Sequence, residues 1–177
     1  MNFERLEKNI TDNIKEAQIK IGFDNRPISL NYMENSLKNL LRIDDVQIAL
    51  EKFSVIVRER LGEVTFREIK DGYCLTISAV GTSYVNNLDG YEFLTEFINT
   101  VRKHGVSVED VISIFKKYSD TVIIEEKNNN EFNYLVYFPD GIPDEYLYCL
   151  AVEEEIDGHL HITYHRFIRE DYKELGF

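Results

Sequence analysis

Tryptophan is absent from this 177-residue chain, and only two cysteines are present, Cys74 and Cys149. Two thiols are too few for a disulfide framework, and they lack metal-ligand spacing. No apolar run approaches the ~18 residues of a bilayer span. The N-terminus, Met1–Phe3 followed by Glu4 and Arg5, lacks the basic region and apolar core of a secretory signal. A cytoplasmic location with reduced thiols is therefore expected, with no membrane partner. Also missing are a Gly-x-Gly-x-x-Gly fingerprint, a phosphate-binding loop, a Gly-x-Ser-x-Gly elbow, Cys-x-x-Cys and His-Glu-x-x-His. Those gaps remove the short motifs of dinucleotide, nucleotide, acyl-transfer and zinc-hydrolase chemistry, and no organic cofactor is expected. Without tryptophan, and without interleaved basic and aromatic residues, there is no platform on which bases would stack.

What the chain has in excess is negative charge. Asp and Glu number 32 against 20 Lys and Arg, for a net charge of −12. Ten of these acids follow Phe138, against three bases (Arg166, Arg169 and Lys173), so −7 lies in the last 39 residues. Such a field repels phosphate and argues against nucleic acid and anionic membranes. It suits solubility or a basic protein partner. The length predicts one globular domain over 1–177, able to bury roughly 70% of its unfolded surface without disulfide or metal.

Phe3, Leu6, Ile10, Ile14, Ala17 and Ile21 recur at helical spacing and predict an amphipathic helix ending at Gly22. Its narrow apolar stripe suits docking on the chain's own core; a homodimer seam has the same pattern. Residues 23–32 read as irregular around Pro27, before a short helix over 34–41. Three capping-box-like pairs, Asp44 with Gln47, Asp89 with Glu92 and Ser107 with Asp110, predict helices over 45–61, 90–104 and 108–118. Gln and Glu suit the returning bond best, so Ser107–Asp110 is the least typical of the three. Three hairpins follow from their turns: Val64–Ile69 with Tyr73–Ser78 around Asp71-Gly72, Thr121–Glu126 with Phe132–Phe138 around Asn128 to Asn130, and Tyr146–Ile156 with His159–Ile168 around Asp157-Gly158. Phe132–Phe138 is apolar on both faces, as a central strand is. The expected fold is α+β: an N-terminal helical half of about five helices on a largely antiparallel sheet of about six strands.

The last third is the most distinctive part. Tyr146-Leu147-Tyr148-Cys149-Leu150, Glu153-Glu154-Glu155, Tyr164-His165-Arg166-Phe167 and Asp171-Tyr172, with the Cys74–Val85 stretch, resemble domain-of-unknown-function family 3877, a family of bacterial proteins of about this length. The resemblance covers nearly the whole chain and implies a single bacterial domain. It carries no activity and assigns no catalytic residues.

The remaining chemistry-bearing pattern is His159-x-His161-x-x-x-His165. Alternate strand residues share a face, so the three rings point the same way. A two-residue Asp157-Gly158 loop pairs His159 with Ile156, His161 with Glu154 and His165 with Leu150. His159, His161 and Glu154 then form a three-ligand set for a divalent metal such as zinc, with a position left for water. A loop one residue longer brings Glu153 or Glu155 to the histidines instead. The competing reading is core grading into solvent, with Tyr148, Leu150, Val152 and Phe167 beneath the rings. Cys149, beside Leu147 and Ala151, is expected to face away from the histidines as a buried structural thiol, and Cys74 reads likewise. Glu153 and Glu155 share a face and read as a charged strand end that blunts edge pairing. Arg26, Arg166 and Arg169 are candidate anion binders, with ordinary surface ion pairs as the simpler reading. Three functions follow: a non-enzymatic binding or regulatory module for a basic protein, of which an inhibitor or immunity-type protein is one form; a metal-dependent hydrolase on the His/Glu hairpin; or a small-ligand sensor with a pocket between helices and sheet.

Overall fold

The computed structural model describes residues 1–127 and 129–176. Among them are eight helices and seven strands, the strands forming two antiparallel sheets. The chain divides into two compact units, Met1–Asp89 and Gly90–Phe177. The α+β class and the antiparallel pairing stand. The single six-stranded sheet is corrected to sheets of three and four strands.

The first unit opens with α1 (Phe3–Ile21), capped where the Asn2 side chain accepts from the Arg5 amide at 3.1 Å. Leu6, Ile10 and Ile14 of its stripe are fully buried, whereas Ile21 is 82% exposed. Strand β1 (Ile28–Met33) runs into α2 (Glu34–Leu41). The expected long helix over 45–61 is two pieces, α3 (Val46–Ile56) and α4 (Arg58–Leu61), parted at Val57. The β-branched run Val55-Ile56-Val57 explains the break, because branched side chains crowd the preceding turn. Strands β2 (Val64–Ile69) and β3 (Gly72–Ile77) form the expected hairpin, and α5 (Ala79–Asn86) closes the unit.

Strand β1, read as irregular from sequence, lies on the far side of β3, giving the order β1-β3-β2. Its arrival also gives Gly72 a different purpose from the expected one. The turn residues are Lys70 and Asp71, and Gly72 is already paired with Met33 and Ile69. A methyl group there would collide with the Tyr32 carbonyl oxygen, so glycine is required by close backbone approach.

Helix α1 is also held by polar contacts. The Lys15 ammonium donates to the carbonyls of Asn86 and Leu88, each at 3.0 Å. A cation there meets the carbonyl-rich end of α5. Burial lowers the Lys15 pKa, while Asp89 opposes that shift. Asn9 accepts from the buried Tyr32 hydroxyl at 2.9 Å.

The second unit contains α6 (Glu92–Val101), α7 (Val108–Tyr118), β4 (Ile123–Glu126), β5 (Tyr134–Tyr137), β6 (Leu147–Glu154), β7 (Leu160–Phe167) and α8 (Arg169–Glu174). Its sheet has the order β4-β5-β6-β7, so β5 is interior, as its two apolar faces imply. The Asn-rich turn begins on Asn128, which lies outside the described residues. On one face Tyr148 is fully buried, with the rings of Phe97 and Phe115 centred 4.8 and 5.1 Å away, edge to face. Tyr164 meets Phe97 at 4.7 Å. On the other face Phe132, Leu135, Leu147, Cys149 and Tyr172 form a second cluster.

The caps reorder the expected ranking. Ser107 and Asp110 form a complete capping box, whereas Asp89 does not cap α6, which starts after Tyr91 with no side-chain cap. Helix α3 is capped by Asp45, whose carboxylate accepts from the Ile48 amide at 3.1 Å, and not by Asp44. Asp45→Ala is therefore expected to lower the unfolding free energy by about 1 kcal/mol. Asp44→Ala should change it by less than about 0.5 kcal/mol. Urea denaturation of the two variants measures the difference, and equal losses would contradict the assignment.

Candidate functional site

The β6–β7 hairpin carries the residues singled out in the sequence, and its turn decides their arrangement. The Glu155 amide donates to the His159 carbonyl at 2.8 Å, and the Gly158 amide to the Glu155 carbonyl at 2.9 Å. The loop is therefore the three residues Ile156, Asp157 and Gly158. Gly158 takes φ +80°, the left-handed position such loops give to glycine. The loop is one residue longer than Asp157-Gly158 alone, so the register shifts by one. Glu153 lies opposite His161, Glu154 opposite Leu160, and Cys149 opposite His165.

Each side chain accordingly changes neighbours. Glu154 turns to the face opposite His161, which corrects the expected pairing of those two residues. The residue near His161 is Glu155, with Oε1 at 4.0 Å from Nδ1. Cys149 shares the face of His161 and His165 rather than facing away. Tyr148, Leu150 and Val152 pair with Arg166, Tyr164 and Ile162 on the reverse. His159 leaves the strand face and meets His104, which follows α6; the ring centroids are 4.4 Å apart. Asp157 completes this group, and one ligand atom from each of the three side chains lies within 4.8 Å of the others. All three side chains are exposed. His104 carries no sequence signal for this role, because it stands far from the hairpin in sequence and only the fold brings them together.

The face shared by Cys149 and His165 holds a cleft of about 260 Å³, lined by Glu131, Phe132, Ala151, Glu153, His165 and Phe167 among others. Its floor is apolar, and two exposed carboxylates stand at its rim. The first unit has a cleft of about 270 Å³ bounded by Ile14, Ala17, Gln18, Ile21, Arg26 and Ile28, among others. Gln18 donates through Nε2 to the Thr82 carbonyl at 2.9 Å, which fixes the amide orientation. Among the described residues nothing donates to its buried Oε1.

The candidate anion binders are engaged with the protein itself. Arg26 is a surface ion pair with Asp24. Arg169 donates to the Phe138 carbonyl at 2.9 Å. Arg166 is not a surface group: its side chain is 4% exposed, 3.8 Å from Asp144, and its guanidinium lies 4.5 Å from the Tyr146 ring centre. The same Asp144 carboxylate accepts from the Tyr148 hydroxyl at 2.9 Å, tying this charge to the aromatic core. Both cysteines are buried free thiols.

The fold and hairpin together define an α+β protein of two compact units with antiparallel sheets. The family described as "Domain of unknown function, E. rectale Gene description (DUF3877)" matches residues 3–176, and the chain belongs to it. No curated protein and no solved structure matches the chain. Among the described residues no helix is long and apolar enough to cross a membrane.

Burial pushes the Cys149 thiol up to about 12, against a smaller lowering by Lys127. The folded state therefore favours the protonated form more than the unfolded chain does. This contribution is complete below the unfolded cysteine's pKa of about 8.5 and is lost as pH rises towards 12. Folding stability should fall across that window, and less steeply in Cys149→Ala. At about pH 8, Ellman's reagent should leave Cys149 unmodified until denaturant is added, since only a thiolate reacts. Rapid labelling of Cys149 in the native protein would contradict its buried, protonated state.

Proposed function

We propose that the protein is a non-enzymatic binding module whose second unit receives a basic side chain of a partner protein. The observation that carries this reading is the cleft on the Cys149 face, where Glu131 and Glu153 flank an apolar floor of Phe132, Ala151 and Phe167. Lysine and arginine place an aliphatic stem on apolar surface and a charge at its edge, which this arrangement complements. The volume, about 260 Å³, is below the roughly 300–1,000 Å³ of small-molecule sites and suits one side chain. The −7 balance of the last 39 residues adds long-range attraction for a basic partner.

A second reading has its own observation. The cleft of the first unit offers apolar walls and the unpartnered Gln18 Oε1. It suits a small apolar ligand with one hydrogen-bond donor, because a buried acceptor without a partner is costly. This is the sensor alternative.

Titration of the protein against a library of lysine- and arginine-bearing peptides separates the two. The first reading expects peptide binding that weakens by about tenfold or more as salt rises from about 50 to 300 mM, because exposed charges are screened. It further expects the double substitution Glu131→Gln with Glu153→Gln to weaken binding, and Gln18→Leu to leave it unchanged. Peptide binding indifferent to salt, or undiminished by the double substitution, rejects this reading.

A further inference from the structure

We propose that His104, His159 and Asp157 bind a divalent transition-metal ion with the ligand preferences of Zn²⁺, and that the ion latches the β6–β7 hairpin tip to the turn after α6. The site does not depend on the peptide cleft and uses none of its lining residues. It differs from the sequence-based set of His159, His161 and Glu154 in two of its three ligands.

Three observations carry it. The first is chemical: two imidazoles and one carboxylate are a donor set that Zn²⁺ accepts, and three protein ligands leave a fourth position for water. The second is geometric. Donor atoms about 2.0–2.1 Å from a tetrahedral ion lie roughly 3.3 Å from one another. Here the candidate donor atoms already lie within 4.8 Å of one another, so closure needs exposed side chains to approach by no more than about 1.5 Å. The third is that the backbone already holds the group together. The Asp157 Oδ1 accepts from the His159 amide at 3.1 Å, which keeps the carboxylate beside that histidine. Gly105, with φ +69°, ends the α6 turn directly after His104, and a Cβ placed on it would lie 4.0 Å from the His159 Nδ1. Loop and hairpin tip therefore abut before any ion is bound.

Acidic neighbours favour a cation at this tip. Glu153, Glu154, Glu155 and Asp157 lie within five consecutive positions of the hairpin, and they outnumber the two bases, Arg102 and Lys103, that precede His104 on the turn. The two rings are tilted by 57° to one another. An ion joining residue 104 to residues 157 and 159 closes a long loop of chain, so its binding stabilises the folded state.

The test uses untagged protein freed of metal by chelator dialysis. Zn²⁺ is titrated by calorimetry and Co²⁺ by visible absorption, with thermal melts in parallel. The variants are His104→Ala, His159→Ala, His161→Ala and Glu154→Gln, all at exposed positions. The expected result is one Zn²⁺ per chain and a melting temperature that rises on adding it. Affinity should weaken by about tenfold or more in His104→Ala and His159→Ala, and stay unchanged in His161→Ala and Glu154→Gln. Wild-type affinity no greater than that of His104→Ala overturns the proposal. So does an equal loss in His161→Ala or Glu154→Gln, which would move the ion to the strand face.

Discussion

The three-residue turn Ile156-Asp157-Gly158 governs the second unit, because strand side chains alternate and a shift of one residue exchanges the two faces. With this turn, Tyr148 and Leu150 enter the aromatic core, where both are fully buried. Their neighbours Leu147, Cys149 and Ala151 meet Phe167, His165 and Thr163 on the opposite face. A register one residue shorter would set the outward histidine face of β7 against the Tyr148 face of β6. Each large apolar side chain turned to water costs about 1.5–3 kcal/mol, so core packing and turn geometry enforce the same pairing.

Both candidate sites of this unit follow from that pairing. The acidic cleft exists because Glu153 shares a face with Ala151, Cys149 and His165. The histidine pair exists because the extra loop residue carries His159 off the strand ladder towards His104. The buried contact of Arg166 with Asp144, and of Asp144 with Tyr148, belongs to the core face. A buried charge of that kind fixes its surroundings, since removing one partner leaves the other unpaired in a low-dielectric interior.

Much of this was legible in the sequence where the signal is local. The stripe of α1, the hairpin pairings, the interior position of β5 and the Ser107 cap of α7 are each marked by the residues of the element or turn itself. Strand β1 was hidden behind Pro27, although Ile28, Leu30 and Tyr32 alternate with polar residues as strands do. Helix α5 was hidden because Val80, Gly81, Thr82 and Val85 are poor helix formers, and its packing on α1, α4 and β3 holds it in shape. Asp71-Gly72 was a true hairpin signal for a different reason, since the glycine answers the approach of β1. The turn length around Asp157-Gly158 left two registers open, and the core chose between them. His104 had no local signal, because its partners stand more than fifty residues along the chain.

The register is open to direct observation by nuclear Overhauser contacts in the native protein. The structure predicts cross-strand contacts that pair Glu153 with His161 and Cys149 with His165, together with contacts between the His104 and His159 rings. Contacts pairing Glu154 with His161 and Leu150 with His165, with none between those two rings, would contradict both the hairpin register and the sites built on it.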